Sequence, residues 1–110
     1  MRRVSREVLG TRSPQSVFAV EVSGECLAAR KIHSGDTVFC QRMTRQPRNG
    51  EVAVIRLHDE VTMKVWHRDG NTITLRDGDG RIVRTLSTLD DFEVEGIAFY
   101  RQGPLEETSL

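Results

Sequence analysis

Short segments with alternating apolar and polar positions run along most of the chain, beginning with residues 18–22 (FAVEV). This period of two predicts β-strands with one buried face. Only residues 27–33 favour a helix, of about two turns at most. The pattern therefore predicts an all-β protein, built as a folded sheet or a small barrel with at most one short helical turn. Further strands are predicted at residues 37–41, 51–57, 60–67, 71–76, 81–86 and 92–100.

Turn-forming residues separate the predicted strands. His58 and Asp59 lie between two strands, which predicts a hairpin. Asp69 and Gly70 predict a second hairpin, because an Asp-Gly pair suits a two-residue loop that needs a positive φ. Residues 77–80 (DGDG) predict a further turn. Short strands joined by such turns are typical of all-β domains.

The strand pattern divides the chain into three parts. Residues 1–16 are polar and show no sustained period, so we interpret them as a leader or linker. Residues 17–103 form the predicted domain, and residues 104–110 form a tail. A chain of 110 residues suffices for one domain with a modest core. The arginines at positions 2, 3, 6 and 12 are typical of a solvated leader, with an arm that binds nucleic acid as the alternative.

Composition excludes several classes of protein. Sixteen basic and sixteen acidic residues balance, so no global field attracts nucleic acid or an anionic membrane. No apolar run approaches the roughly 20 residues of a membrane span, and no apolar stretch follows the first arginines as it would in a secretory signal. We therefore expect a cytoplasmic protein in which Cys26 and Cys40 are free thiols. No helix-turn-helix pattern is present, so we expect no direct binding of DNA by this domain.

Metal and cofactor sites are not expected. The three histidines and two cysteines lack the Cys-x-x-Cys or His-x-x-x-His spacing of common metal sites. The glycine-containing turns lack the lysine of a phosphate-binding loop, so they predict turns and no nucleotide site. Cys40 alternates with Val38 and is expected to pack in the core.

Cys26 and Lys64 are the candidate catalytic pair. The period of two places Lys64 on one strand face with Thr62 and Trp66, where partial burial would lower the pKa of the lysine and favour a neutral general base. A thiol has a reference pKa of about 8.5, roughly 2 units below that of lysine, so contact between the two groups would favour a thiolate–ammonium pair. Such a pair either attacks a peptide bond or persists as an inert ion pair. Taken alone, a packed cysteine and an exposed lysine would need no function.

Five short motifs surround this pair in a single order. They are residues 22–27 (VSGECL), 34–36 (SGD), 49–52 (NGEV), 60–64 (EVTMK) and 92–96 (FEVEG). Together they resemble the carboxy-terminal domain of the LexA-like peptidase family S24, which also holds UmuD and the phage repressors. The resemblance extends over about residues 17–101. It implies a mostly-β fold shared with signal peptidases.

The resemblance also implies the roles of individual residues in a self-cleaving serine–lysine site. The family's nucleophilic serine falls on Cys26 and its lysine on Lys64. The backbone N–H groups of Glu25 and Cys26 would stabilise the oxyanion. Two positions depart from the family, because a cysteine replaces the serine and Leu27 stands where methionine is usual.

The expected substrate is a segment of the protein's own chain. The family cleaves before a glycine upstream of the nucleophile, and the bond between Leu9 and Gly10 is the candidate here, unless Gly10 is only a linker glycine. The resemblance further implies a homodimer formed through the last long strand, and either a recombinase-type activator or a DNA polymerase as a partner. The period of two would place the following residues of that strand on one face: Phe92, Val94, Gly96, Ala98 and Tyr100.

The sequence therefore predicts the carboxy-terminal domain of a LexA-like transcriptional repressor of the SOS response, which cleaves itself through Cys26 and Lys64 and forms a dimer. Two alternatives stay open. One is a catalytically inactive dimerisation or protein-binding module of the same fold, which the exchanged nucleophile suggests. The other is a UmuD-like accessory subunit of the DNA-damage response.

Overall fold

The structure is a computed structural model, which describes residues 9–10, 12–42, 45–103 and 107–110. Within these residues the chain forms β-strands joined by tight turns, with 3₁₀ turns at Pro14–Ser16 and Ala28–Arg30. In the same residues, no helix has the length and apolar character needed to cross a bilayer. The predicted all-β class is confirmed. The strands are β1 (Val17–Glu21), β2 (Thr37–Arg42), β3 (Val52–Leu57), β4 (Glu60–Asp69), β5 (Thr72–Arg76), β6 (Ile82–Ser87), β7 (Glu93–Gln102) and β8 (Glu107–Ser109).

One antiparallel sheet contains these strands, in the order β1-β2-β7-β3-β4-β5-β6, and β8 pairs with β7. The β3–β4 hairpin closes with Leu57 opposite Glu60, which confirms the turn predicted between them. The β4–β5 hairpin closes with Asp69 opposite Thr72, so the turn is one residue later than predicted. Gly70 has a φ of 59°, a conformation that glycine adopts without strain.

Two apolar clusters lie on opposite faces of the sheet, because successive strand residues point to opposite sides. In β3, Val52 and Val54 belong to the first cluster, whereas Ala53 and Ile55 belong to the second. Cys40 is fully buried in the first cluster, as predicted. The candidate site lies beside this first cluster, since Leu27 is one of its members.

Two β-bulges change the facing of residues along β7. One occurs between the pairs Val54–Gly96 and Ile55–Val94, and the other near Cys40, which pairs with Ala98. Each bulge inserts one residue and reverses the alternation beyond it. Val94 therefore packs against the second cluster and Ala98 within the first. The predicted single face from Phe92 to Tyr100 is wrong for this reason.

Gly96 allows β1 to pack closely over β7. A Cβ atom at this position would lie 2.6 Å from the backbone oxygen of Gln41 and 2.6 Å from the ring of Phe18. Glycine is thus required at this point of the 92–96 motif by close packing, because any side chain would overlap its neighbours. This packing fixes β1, from which the chain continues directly into the loop that carries Cys26.

A buried ion pair fastens the 34–36 motif to the sheet. Asp36 and Arg101 are 3% and 1% exposed, and their charged groups lie 3.6 Å apart. The carboxylate of Asp36 also accepts the N–H of His33 at 2.8 Å. The backbone of this turn pairs with Val22, which donates to Asp36 O at 2.9 Å and accepts from Gly35 at 2.9 Å. The turn therefore holds the segment that leads into the candidate site.

Candidate active site

A tight loop after β1 presents Cys26 at the surface. Gly24 has a φ of 89°, which lets the chain turn sharply before the cysteine. Beyond it, Leu27 is 2% exposed and anchors the loop in the first cluster, and Ala28 N–H donates to Glu25 O at 3.0 Å to begin the 3₁₀ turn. Cys26, between these fixed points, is exposed and is not part of a disulfide.

Lys64 projects from the middle of β4 toward this loop. Its Nζ donates a hydrogen bond to Cys26 Sγ at 3.1 Å, and its side chain is only 17% exposed. The two side chains singled out in the sequence are therefore in contact, although they are far apart along the chain. Their catalytic roles stay a prediction.

Asp77 is a third charged residue at the site, at a position where the sequence pattern predicts only a turn. Its buried carboxylate accepts a hydrogen bond from Lys64 Nζ at 3.3 Å on Oδ1. Its other oxygen, Oδ2, accepts from Arg81 at 3.2 Å. The observed hairpin register explains this contact: Val65 pairs with Arg76, which places position 77 beside Lys64.

The charge state of Lys64 differs from the sequence-based expectation. Burial lowers the pKa of Lys64, but the hydrogen bonds and charge attraction from Cys26 and Asp77 together outweigh it and hold the pKa above the ordinary value of a lysine. The expected lowering of the lysine pKa is thus wrong, because contacts with Cys26 and then Asp77 stabilise the charged form. Lys64 is an ammonium group at neutral pH.

The turn that carries Asp77 also contacts the backbone of the cysteine. Gly78 N–H donates to Cys26 O at 2.8 Å. A Cβ atom at position 78 would lie 3.2 Å from backbone atoms of Leu27 and Arg30, which leaves little space for any other residue. One turn between β5 and β6 therefore touches both members of the candidate pair.

The two proposed oxyanion donors are available for a ligand. Among the hydrogen bonds of the described residues, the backbone N–H groups of Glu25 and Cys26 donate to no protein acceptor. The side chain of Glu25 is engaged elsewhere, 3.1 Å from His33 Nδ1 and accepting Ser34 N–H at 3.3 Å. Their function in stabilising an oxyanion stays a prediction.

Two grooves meet at Lys64. One has a volume of about 260 Å³, and its lining includes Val20, Val22, Val61, Met63 and Cys26. The other, of about 190 Å³, lies toward β5 and β6 and shares Thr62 and Lys64 with the first. Cys26 lines the first groove and Lys64 lines both.

The candidate scissile bond lies away from these grooves. Leu9 and Gly10 line neither of them. The N–H of Arg12 donates to Leu9 O at 3.0 Å, and the Arg12 guanidinium lies 4.0 Å from the centre of the Phe99 ring on β7. Cleavage at this bond would require the segment to move. Across the described part of the chain, no three His, Cys, Asp or Glu side chains are grouped to hold a metal ion.

Comparison with known proteins assigns the chain to a family. A sequence profile described as Peptidase S24-like matches residues 2–99. A LexA repressor from Desulfatibacillum aliphaticivorans is 39% identical over 75 residues, which are 68% of this chain and 36% of that protein. A LexA repressor from Actinobacillus succinogenes is 38% identical over 88 residues, 77% of this chain and 41% of that protein. The chain thus spans about two fifths of the length of these relatives, and it belongs to the Peptidase S24-like family.

Proposed function

We propose that this chain is the peptidase and dimerisation part of a LexA-like repressor and that it cleaves a peptide bond of its own polypeptide. Cys26 is the nucleophile and Lys64 its proton donor. The observation that carries the proposal is the 3.1 Å contact between Cys26 Sγ and Lys64 Nζ, at the junction of two open grooves. Membership of the Peptidase S24-like family supports peptide-bond cleavage as the class of reaction.

In the first step, the Cys26 thiolate attacks the carbonyl carbon of the scissile bond. A C–S bond forms, and the carbonyl π electrons move to oxygen, where the N–H groups of Glu25 and Cys26 can stabilise the negative charge. As the C–N bond breaks, the departing amine takes a proton from the Lys64 ammonium. The products are a thioester on Cys26, a new amino terminus and a neutral Lys64.

In the second step, water hydrolyses the thioester. Neutral Lys64 removes a proton from the attacking water, the new C–O bond forms, and the thiolate leaves as the C–S bond breaks. The site then again holds a thiolate beside an ammonium. A serine nucleophile would need Lys64 to lose its proton first, whereas a cysteine can react beside a protonated lysine. The contacts of Lys64 Nζ with Cys26 Sγ and Asp77 Oδ1 favour the ammonium form that this mechanism uses.

The test is incubation of the protein over a range of neutral to alkaline pH, followed by measurement of intact masses. We expect two fragments from the parent and from Cys40→Ala, which keeps Cys26 and removes only the buried thiol. We expect none from Cys26→Ala or Lys64→Ala. If the Leu9–Gly10 bond is the substrate, the masses identify it. A parent protein that stays intact throughout would overturn the peptidase proposal.

An inactive module is the second candidate function. It is favoured by one observation: Lys64 contacts both Cys26 and Asp77, so the three groups could form a stable, unreactive cluster of charges. An intact parent protein that nevertheless forms dimers would support this alternative. The UmuD-like role, and activation by a recombinase or use of a DNA polymerase partner, stay predictions.

Dimerisation through the strand from Phe92 to Tyr100 would use side chains more than backbone. Along β7, β2 pairs on one side and β3 pairs on the other, and β8 continues this second side from Tyr100 to Gln102. Most backbone groups of the strand are thus already paired within the chain. Sedimentation equilibrium of the parent and of Phe99→Ala tests the proposal: Phe99 is a half-buried residue of this strand, and its substitution should weaken a dimer formed through it.

A further inference from the structure

The turn between β5 and β6 supplies a side chain that the cysteine–lysine mechanism does not yet include. We propose that Asp77 is a positioning residue, which holds the Lys64 ammonium against Cys26 and commits the site to cysteine rather than serine chemistry. This inference rests on the proposed self-cleavage, and its test includes a measurement that is independent of cleavage.

The geometry around Lys64 Nζ is that of a fixed ammonium group. An ammonium has three donors, and two of them are directed to Cys26 Sγ at 3.1 Å and Asp77 Oδ1 at 3.3 Å. A lysine side chain is otherwise flexible, with a four-carbon stem. A second, buried acceptor therefore restricts where the nitrogen can lie. Without Asp77, the hydrogen bond to Cys26 Sγ would be the remaining contact of Nζ among those of the described residues.

Asp77 is itself held in place by its turn. Its N–H donates to Arg81 O at 2.9 Å, and its own carbonyl oxygen accepts Gly80 N–H at 3.0 Å. The neighbouring Gly78 N–H donates to Cys26 O at 2.8 Å. One rigid turn thus sets the position of the carboxylate, the ammonium and the nucleophile's backbone together.

The other charged groups near Lys64 do not replace Asp77. Glu21 lines the first groove, and Glu60 and Arg84 line the second. Among the described residues, Asp77 is the carboxylate that hydrogen-bonds to Nζ, and Arg81 balances part of its charge from an exposed position. Asp77 is therefore the group whose removal should most change the behaviour of Lys64.

The charge of Asp77 has opposite consequences for the two nucleophiles. It stabilises the ammonium form of Lys64, which a thiolate mechanism uses as its acid. A serine hydroxyl needs a neutral lysine as its base, so the same carboxylate would oppose it. Removing the charge of Asp77 should slow cleavage by the protein that has Cys26. In the Cys26→Ser protein, it should allow cleavage at lower pH. Substitution of a residue that only supports the fold would slow cleavage in both proteins.

The experiment compares cleavage rates across pH in four proteins: the parent, Cys26→Ser, Asp77→Asn, and the double variant. Asp77→Asn keeps the shape and one acceptor oxygen. We expect it to slow the cysteine protein roughly 10- to 100-fold, because misplaced catalytic groups cost rates of this order. In the serine background it should instead shift the pH profile toward lower pH. Equal slowing in both backgrounds would overturn the inference.

The second measurement is an NMR titration of Lys64 in parent and Asp77→Asn, which requires no cleavage. We expect a lower pKa of Lys64 in the variant. Asp79→Asn is the matched control, since Asp79 lies in the same turn and its carboxylate accepts Arg81 N–H rather than Lys64; it should leave the titration unchanged. An unchanged titration in Asp77→Asn overturns the inference, whereas absence of cleavage in the parent overturns only the proposed function.

A further variant keeps the test decisive if Asp77→Asn fails to fold. The Arg81 side chain is 74% exposed, so Arg81→Gln removes the cation that pairs with Asp77 without altering a buried residue. Loss of this competing cation should raise the pKa of Lys64 if Asp77 couples the two groups. A Lys64 titration unchanged by Arg81→Gln would argue against the coupling.

Discussion

Cys26 and Cys40 carry the same thiol in opposite surroundings. Cys26 is exposed and lies 3.1 Å from the Lys64 ammonium. Cys40 is fully buried among apolar side chains, and burial raises its pKa to about 12. A thiolate is the reactive form of cysteine, and a nearby cation stabilises it whereas an apolar interior does not. Their reactivity is therefore decided by position in the fold.

The first prediction concerns this difference in reactivity. Iodoacetamide at neutral pH should label Cys26 at least about tenfold faster than Cys40 in the folded protein. In denaturant the two rates should become similar, because the folded surroundings are lost. Peptide mass mapping over time gives both rates in one sample. If Cys26 reacts no faster than Cys40 in the folded state, Lys64 does not activate it.

A second prediction follows from the buried thiol at Cys40. The unfolded chain loses its thiol proton near an ordinary cysteine pKa, while the folded chain keeps it until about pH 12. At pH values above the ordinary cysteine pKa, the unfolded state binds fewer protons than the folded state. The free energy of unfolding therefore falls as pH rises. The free energy of unfolding should be lower by about 2 kcal/mol at about pH 10.5. Urea unfolding of parent and Cys40→Ala measures it, since the variant should lack this slope.

At the scale of secondary-structure elements, the register of the β4–β5 hairpin limits what can be predicted about the site from the sequence. The strands and most turns follow from alternation and from Asp and Gly pairs, because these are local signals. Register is not local. The predicted turn at residues 69–70 would have placed Leu75 opposite Lys64. The observed turn one residue later places Asp77 there instead, so the acid was missed.

The β7 strand shows the same limit in another form. Its sequence alternates without interruption, so nothing local predicts where a bulge inserts a residue. The bulges follow from how β2 and β3 pair on its two sides. By contrast, the Cys26–Lys64 pair could be located from sequence because five motifs fixed it in order. Contacts that depend on register required the structure.

The third prediction tests close packing between β1 and β7. Gly96→Ala should destabilise the protein by about 1–3 kcal/mol, because its new methyl group would overlap Phe18 and the Gln41 backbone. Chemical denaturation gives the free energy of unfolding. In a Phe18→Ala background the same substitution should cost less, since the ring is gone. Equal costs in both backgrounds would show that the ring does not restrict position 96.

In the whole molecule, the site is assembled from three distant parts of the chain. The loop after β1 supplies Cys26, the middle of β4 supplies Lys64, and the β5–β6 turn supplies Asp77. The sheet brings Lys64 and Asp77 together through the hairpin. The loop with Cys26 has no strand pairing to either of them. Its connection to the others is made by the Gly78–Cys26 hydrogen bond and the Cys26–Lys64 contact.

The fourth prediction tests this connection. Gly78→Ala places a methyl group 3.2 Å from the backbone of Leu27 and Arg30. The loop must shift by a few tenths of an ångström or more, which should weaken the Gly78–Cys26 hydrogen bond and lengthen the Cys26–Lys64 contact. We expect slower alkylation of Cys26 at neutral pH and slower cleavage, with stability lowered by about 1 kcal/mol.

Gly80→Ala is the matched control for this substitution. Gly80 lies in the same turn and has a φ of 92°, so alanine strains the backbone there, but its Cβ would meet nothing within 4 Å. It should therefore reduce stability without slowing alkylation of Cys26. If both substitutions slow alkylation in proportion to lost stability, the turn acts only by supporting the fold. If only Gly78→Ala slows the alkylation of Cys26, the loop and the sheet are joined at this contact. The site then forms only when the loop is docked on the sheet.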